Sequence, residues 1–146
     1  MEIKKLLFAT LFSTSNRLQT IGDTYLGDVS TKQWFLLACV KFFGSENPTL
    51  SQLSPLMGSS RQNIKQLALK LETKGFLTLF TDPQDSRAIR LSITPTCDTY
   101  WKKREKQDEA FISSLFSGLS DEELTTATKV LQKLEQNMHA MQKDVK

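Results

Sequence analysis

Residues 50–94 read LSQLSPLMGSSRQNIKQLALKLETKGFLTLFTDPQDSRAIRLSIT. Up to Gly75 the apolar residues recur every three or four positions, which is the spacing of helices with one buried face. After Gly75 they alternate with polar residues or lie in a short run rich in strand-forming residues. The stretch therefore predicts helices followed by a β-hairpin.

The helical part divides into two helices with recognisable ends. Residues 49–52, Thr-Leu-Ser-Gln, have the form of a capping box and begin a short helix over 50–57. Pro55 should make that helix short or irregular because proline removes a backbone donor. Ser60 caps a second helix over 61–74, which Gly75 ends. The residues expected to face the core are Leu50, Leu53, Leu56 and Met57 on the first helix and Ile64, Leu67, Ala68 and Leu71 on the second.

The strand part predicts a hairpin. Strands over 76–81 and 88–93 flank a cluster of turn-forming residues at 82–86. Ile89, Leu91 and Ile93 alternate along the second strand and so share one face. A short helix, a tight turn at Gly58, a capped helix and a hairpin together predict a winged helix-turn-helix, with the hairpin as the wing.

Helices are also predicted on both sides of this unit. One spans 3–26, and a second, opened by a Ser-Thr-Lys-Gln capping box at 30–33, ends at Phe43. A third spans 95–116, with Thr94 as its cap and proline at its first position. The capping box Ser-Asp-Glu-Glu at 120–123 opens the last helix. The predicted fold class is therefore mainly α with a small β-hairpin wing.

The last helix carries an apolar stripe at alternating spacings of three and four. Such a heptad-like stripe packs either against a core or against a partner helix. Because it runs almost to the end of the sequence, where little core remains to cover it, we expect it to form a dimer interface. Its members are Leu124, Ala127, Leu131, Leu134, Met138, Met141 and Val145.

Positive charge is concentrated in the helix-turn-helix and the hairpin. The chain has a net charge of +3. Residues 49–94 contain six basic and three acidic side chains, so this segment accounts for the whole excess. A local basic surplus suits a polyanionic partner, although a solvated charged face is the alternative on charge alone.

The second helix of the helix-turn-helix unit has the side chains that DNA reading requires. In such a unit this helix enters the major groove with its N-terminus first. Glutamine and asparagine make paired contacts to adenine, arginine does so to guanine, and lysine and serine suit phosphates. The outward residues predicted to bind DNA are Ser60, Arg61, Gln62, Asn63, Lys65, Gln66 and Lys70.

Several motifs in this order resemble the MarR (multiple-antibiotic-resistance regulator) family of winged helix-turn-helix transcription regulators. The most specific are LETKGFL at 71–77, DPQDSRA at 82–88 and LSIT at 91–94. STKQW at 30–34 and GLSDEEL at 118–124 resemble the starts of the family's second and last helices. The resemblance therefore covers nearly the whole chain.

The resemblance implies a single unit over 1–146 with two parts. Residues 30–94 would form the DNA-binding part, and residues 1–29 and 95–146 the helical dimerisation part. The expected protein is a homodimeric repressor that binds a pseudo-palindromic operator in double-stranded DNA. The lack of basic residues at 78–81, where the family usually has them, predicts fewer phosphate contacts.

The resemblance also assigns roles in the wing. Arg87 matches the family residue that reaches the minor groove, where a narrow groove attracts arginine. Arg90 is added to the predicted DNA-binding set. Asp85 matches the residue that holds the shape of the wing, by pairing with Arg87 or Arg90.

A small aromatic effector is a further expectation from the resemblance, because many relatives are released from DNA by such ligands. The aromatic residues proposed to line an effector pocket are Phe12, Trp34, Phe35, Phe42 and Trp101.

Other classes of function find little support in the sequence. The single histidine, His139, has no catalytic partner near it in sequence, so no enzyme, cofactor or metal site is expected. A thiol-based redox sensor using Cys39 or Cys97 is one alternative, and buried inert thiols are the other interpretation of these cysteines. A MarR-like interaction protein or anti-repressor with weak DNA binding is a further alternative. The short apolar run at the start suggests an amphipathic helix, and we expect no membrane partner and a cytoplasmic location.

Overall fold

A computed structural model of the chain describes residues 2–144. These residues form six α-helices and one two-stranded antiparallel sheet. The elements are α1 (Ile3–Leu26), α2 (Thr31–Phe42), α3 (Leu50–Met57), α4 (Arg61–Thr73), β1 (Leu77–Asp82), β2 (Asp85–Ile93), α5 (Pro95–Leu115) and α6 (Asp121–Asp144), with a short 3-10 helix at Gly44–Glu46. The predicted fold class, mainly α with a β-hairpin wing, is confirmed.

The chain divides into two compact units, one extending to Lys102 and the other beginning at Lys103. The first contains α1 to α4, the hairpin and the start of α5. The second contains the remainder of α5 and the whole of α6.

The core of the first unit is built around α2. Leu36, Leu37 and Val40 are buried, and α2 packs against α1, α3, α4 and β2. The predicted capping box begins this helix: the Gln33 N–H donates to Ser30 Oγ at 3.1 Å, and the Ser30 N–H donates to Gln33 Oε1 at 3.0 Å. A helix that is apolar nearly all round is thereby started at a defined residue in the centre of the unit.

Helix α3 is a short helix of eight residues over the predicted range 50–57, and Pro55 lies inside it. Pro55 is exposed, and so is Ser51, whose carbonyl proline leaves without a backbone donor. Solvent can therefore satisfy that carbonyl, and the loss of one bond at the surface does not break the helix.

The expectation that Leu56 faces the core was wrong, because this residue is 47% exposed. Leu50, Leu53 and Met57 are spaced i, i+3 and i+7, which keeps them on one stripe facing the core. Leu56 precedes Met57 by one residue and is rotated by about 100° from it around the helix.

Helix α4 ends as predicted. The N–H of Phe76 donates to the Leu71 carbonyl at 3.0 Å, and the N–H of Gly75 donates to the Glu72 carbonyl at 2.9 Å. This is the Schellman pattern, which requires the left-handed conformation that Gly75 adopts at φ 81°. The chain is thereby directed from α4 straight into the hairpin.

The hairpin pairs Leu77 with Ile93 and Leu79 with Leu91. The regular ladder ends where Thr81 pairs with Ile89. Beyond an irregularity that spans residues 86–88, Asp82 pairs with Asp85, and residues 83–84 form the turn predicted at 82–86. The turn can be this tight because Asp82 Oδ1 accepts the Gln84 N–H at 2.7 Å, which replaces a backbone contact.

The base of the wing is joined to the helix-turn-helix through the segment before α3. The Leu91 N–H donates to the Pro48 carbonyl at 3.0 Å. The neighbouring residues Thr49 and Arg90 form a β-bridge. Leu91 is fully buried, and Ile89 and Ile93 pack against the core as predicted. The wing and helices α2 to α4 therefore share one core.

The second unit begins α6 with the predicted capping box. The Glu123 N–H donates to Ser120 Oγ at 3.1 Å, and the Ser120 N–H donates to Glu123 Oε2 at 2.8 Å. Along the predicted stripe Leu124 and Leu134 are half-buried, whereas Leu131, Met138 and Met141 are exposed. Val145 lies outside the described residues. Much of this stripe is therefore exposed.

Gly22 marks the closest approach of α1 to α2. A Cβ added at Gly22 would lie 2.3 Å from Thr31 Oγ1, which donates to the Gln19 carbonyl at 3.1 Å. The Thr31 N–H donates to Asp23 Oδ1 at 2.6 Å. These hydrogen bonds and the Gly22 contact fix the start of α2 against α1.

We predict that Gly22→Ala destabilises the protein by about 1–2 kcal/mol, because the clash displaces Thr31 and exceeds the gain in helix propensity. In a Thr31→Ala background the same change should cost much less, since the hydroxyl and methyl groups are gone and only the Cβ of residue 31, 3.3 Å from the added carbon, stays close. Urea unfolding of the four proteins measures both effects. Equal effects of Gly22→Ala in the two backgrounds would show that the contact with Thr31 is unimportant.

Candidate nucleic-acid interface

Helix α4 presents a polar face to solvent. Its inner side chains, Ile64, Ala68 and Leu71, are fully buried, so the opposite side of the helix must project outward. All seven residues predicted on this helix to bind DNA are exposed: Ser60, Arg61, Gln62, Asn63, Lys65, Gln66 and Lys70. The structure therefore brings these seven predicted residues together on the start and outer face of one helix.

The start of α4 is held by two side-chain contacts. Ser60 Oγ accepts the Asn63 N–H at 3.1 Å, which caps the helix. Arg61 Nη1 donates to Ser51 Oγ at 3.3 Å, which joins α4 to α3. The polar groups at this helix start are thus presented in a defined orientation, as base-edge contacts require.

The wing presents one arginine to solvent. The side chain of Arg87 is 93% exposed, and its Nε lies 3.6 Å from Asp85 Oδ1. Asp85 Oδ1 also accepts the Arg87 N–H at 3.0 Å. Asp85 therefore contacts Arg87, one of the two partners predicted for it. An exposed ion pair of this kind contributes little free energy, so the hydrogen bond to the backbone is the more useful contact for shaping the wing.

Arg90, predicted to bind DNA, is engaged inside the protein instead. Its Nε donates to Asp82 Oδ2 at 2.7 Å, and its Nη1 donates to the carbonyls of Asn47 at 2.7 Å and Glu46 at 3.1 Å. The Gln84 N–H and the Arg90 guanidinium both hold the pKa of Asp82 below its ordinary value. No local sequence pattern indicates this arrangement, because the two carbonyls lie more than forty residues before Arg90.

A second basic residue of the segment is also used internally. Lys74 Nζ donates to the backbone carbonyl of Asp28, in the segment between α1 and α2. The exposed basic side chains of residues 49–94 are Arg61, Lys65, Lys70, Lys74 and Arg87, whereas Arg90 is half-buried. The charge of Arg90 is offset by Asp82.

A groove of about 840 Å³ lies beside α4. The described residues that line it come from α1, the start of α2, the turn after α3, and α4. They are Ser15, Leu18, Gln19, Thr31, Lys32, Trp34, Phe35, Met57, Gly58, Ser59, Asn63, Gln66, Leu67 and Lys70. Three of them, Asn63, Gln66 and Lys70, also belong to the exposed polar face of α4.

The five aromatic residues predicted to form one effector pocket do not all line this groove. Trp34 and Phe35 line the groove. Phe12, 61% exposed, packs edge-to-face on Phe8, Phe42 is 80% exposed, and Trp101 lies under Lys41 Nζ at 4.3 Å. Phe12, Phe42 and Trp101 do not line this groove, and their part in an effector site stays a prediction. Leu18, Met57 and Leu67 supply groove surface that the sequence analysis did not identify.

Both cysteines are buried. Burial raises the pKa of the Cys39 thiol. Burial, and after it the nearby Asp98 carboxylate, raise the pKa of the Cys97 thiol to about 11. Because the thiolate is the reactive form, this geometry argues against the redox-sensor alternative.

Across residues 2–144, every helix is too short or too polar to cross a bilayer. In the same residues no three or more histidine, cysteine, aspartate or glutamate side chains gather as they would to hold a metal ion.

No protein-family model matches the chain. Among solved structures, a MarR protein from Peptoclostridium difficile is 20% identical, with a TM-score of 0.81 over 96% of this chain and 92% of that one. The Staphylococcus aureus MepR–DNA complex is 20% identical, with a TM-score of 0.76 over 89% and 97%. Bordetella bronchiseptica BpsR, whose DNA binding is regulated by 6-hydroxynicotinic acid, is 18% identical, with a TM-score of 0.73 over 91% and 92%. The fold is that of the MarR-family transcription regulators.

In this MarR fold the polar face belongs to α4, the second helix of the helix-turn-helix, and Arg87 belongs to the wing. The alignments span nearly the full length of the MarR-family chains, so the helices outside the winged unit belong to the shared architecture as well. At these identities the likeness establishes the fold, and the function has to be argued from the side chains.

We predict that Cys39 and Cys97 react with a thiol reagent at pH 8 roughly tenfold or more slowly in the folded protein than in guanidinium, because both are buried with raised pKa values. Absorbance after addition of 5,5′-dithiobis(2-nitrobenzoic acid) measures the rate, and the unfolded chain is the control. Rapid reaction of either thiol in the folded protein would restore the redox alternative.

Proposed function

We propose that this protein is a sequence-specific DNA-binding transcription regulator that acts as a homodimeric repressor and is released from DNA by a small-molecule effector. The observation that carries the proposal is the exposed polar face of α4, mounted on a helix whose other face is fully buried. MepR, with the same fold, was solved bound to DNA, which supports assigning this face to DNA.

The start of α4 has the chemistry to distinguish base pairs. Gln62 and Asn63 lie in its first turn, where a recognition helix meets base edges, and each offers a donor and an acceptor to adenine. Arg61 suits guanine or a phosphate. Lys65 and Lys70 lie further along and are suited to the phosphate backbone.

Uncovered apolar surface supports the homodimer. Large apolar side chains near the start of α1, including Ile3, Phe8 and Phe12, are exposed. In the second unit Leu131, Met138 and Met141 are exposed as well. A single copy that leaves this much apolar surface in water is disfavoured, and a second copy that covers it would pair two α4 helices for the two halves of a pseudo-palindromic operator.

We predict that the purified protein, as a dimer, retains specific genomic fragments against excess competitor DNA. Gln62→Ala and Asn63→Ala should each weaken the selected complex about tenfold, because a base-edge contact is lost. Lys65→Gln should weaken all DNA alike and reduce the salt slope by roughly two per dimer, one per protomer. Fluorescence anisotropy over a range of salt concentrations measures each effect.

Gln107→Ala, at an exposed position on α5 outside the winged unit, is the matched control and should bind as the wild type does. A folded dimer that retains no fragment against competitor would count against DNA recognition and favour the interaction-protein alternative.

The groove beside α4 supports release by an effector. Leu18, Trp34, Phe35, Met57 and Leu67 give it an apolar lining suited to an aromatic ring. Lys32 and Lys70 give it positive charge, which favours an anionic group on the ligand. Because Asn63, Gln66 and Lys70 also belong to the DNA-facing set, a ligand seated there would withdraw groups that DNA requires.

We predict that an aromatic carboxylate changes the emission of Trp34 and weakens DNA binding. The Trp101→Phe variant leaves Trp34 as the sole tryptophan and isolates its signal. The probes are 6-hydroxynicotinic acid and a set of hydroxybenzoates. In that background Phe35→Ala should lower probe affinity about tenfold because a ring contact in the groove is lost.

Phe42→Ala, on the same helix but away from the groove, is the control and should leave probe affinity unchanged. Equal losses in the two alanine variants, or unchanged DNA affinity at saturating probe, would contradict the assignment of the groove.

A further inference from the structure

Arg90 joins three separate parts of the first unit. It contacts Asp82 at the end of β1, it belongs to β2 itself, and it donates to the Glu46 and Asn47 carbonyls in the segment between α2 and α3. Its side chain is only 29% exposed and that of Asp82 only 12%. The pair is therefore well shielded and less weakened by solvent than the surface pair of Asp85 and Arg87.

These contacts involve a backbone segment of defined shape. Asn47 adopts the left-handed conformation at φ 44°, which is uncommon outside glycine, and its carbonyl accepts from Arg90 at 2.7 Å. The adjacent Pro48 carbonyl accepts the Leu91 N–H. Hydrogen bonds from a charged donor are among the stronger ones, so Arg90 is well placed to fix the segment before α3 against the hairpin.

The position of the wing tip depends on this arrangement. Arg87 lies three residues before Arg90 on β2, a distance of about 10 Å along a strand. Residues 77–93 contain two basic side chains, Arg87 and Arg90, and only Arg87 is exposed. The wing thus has one outward cation, Arg87. A rotation of the hairpin about its base would move Arg87 away from the DNA that α4 is proposed to bind.

We propose that Arg90 is a positioning residue for DNA binding: it holds the wing at the angle at which Arg87 reaches the DNA, and does not contact DNA itself. This inference rests on the proposed function. Direct contact with a phosphate is disfavoured because Asp82 already neutralises the Arg90 charge and two backbone carbonyls occupy Nη1. Lysine cannot replace it, since a single ammonium lacks the planar fork that reaches both the Asp82 carboxylate and the two backbone carbonyls.

A spin label at the wing tip tests the holding role without DNA. Ser86→Cys provides an exposed site on β2, while Cys39 and Cys97 are buried. Arg90→Gln and Arg90→Lys should both increase label mobility in electron paramagnetic resonance spectra, whereas Arg87→Gln, which removes an equal charge from the same strand, should not. Unchanged mobility in both Arg90 variants, with far-UV circular dichroism confirming the fold, would overturn the proposal.

DNA affinity tests the positioning role. Arg90→Gln and Arg90→Lys should each weaken a selected fragment about tenfold, as Arg87→Gln does. The double variant Arg87→Gln/Arg90→Gln should bind no more weakly than Arg87→Gln alone, because a misplaced wing has lost the same contact. Wild-type affinity in Arg90→Lys, or losses that multiply in the double variant, would show instead that Arg90 acts as an independent cation.

The two experiments separate failure of this inference from failure of the proposed function. A wild type that selects no DNA fragment would overturn the proposed function and the DNA role of Arg90 with it. Label mobility would still report whether Arg90 holds the wing. Selective binding by the wild type together with wild-type affinity in both Arg90 variants would overturn the positioning role alone.

Discussion

Burial of one side of α4 is the constraint on which the rest of the molecule depends. Ile64, Ala68 and Leu71 have no exposed surface, and α4 packs there against α2 and α3. Truncation of a buried leucine or isoleucine to alanine typically costs about 2–5 kcal/mol, which is a large share of the stability of a small domain. The polar face of α4 is therefore presented rigidly because its opposite face is committed to the core.

Some basic side chains of the winged unit make hydrogen bonds within the protein. Two of its six basic side chains, Lys74 and Arg90, donate to backbone carbonyls of the protein and join segments far apart in sequence. Net charge alone would assign both to a polyanion. A hydrogen bond to a neutral carbonyl leaves the charge of the exposed Lys74 in place, whereas Asp82 offsets the charge of the half-buried Arg90.

Local signals in the sequence predicted most of the fold, and non-local contacts account for what it missed. Capping boxes and Gly75 act within six residues, so helix ends could be located from the sequence. Arg90 depends on carbonyls more than forty residues away, and no pattern within β2 reveals them. Phe12 and Phe42 were grouped with Trp34 by aromatic character, but the direction of each side chain depends on how whole helices pack.

In the proposed function, the overlap between the groove and the polar face would link DNA recognition directly to regulation by an effector. Asn63, Gln66 and Lys70 project toward a groove whose remaining lining is largely apolar. A ligand held there would occupy groups on α4 itself, so its free energy of binding would oppose that of DNA without a change of fold being required. By thermodynamic linkage DNA must then weaken ligand binding by the same factor. A recognition helix that also forms a groove wall would thus make DNA and effector alternatives for the same side chains.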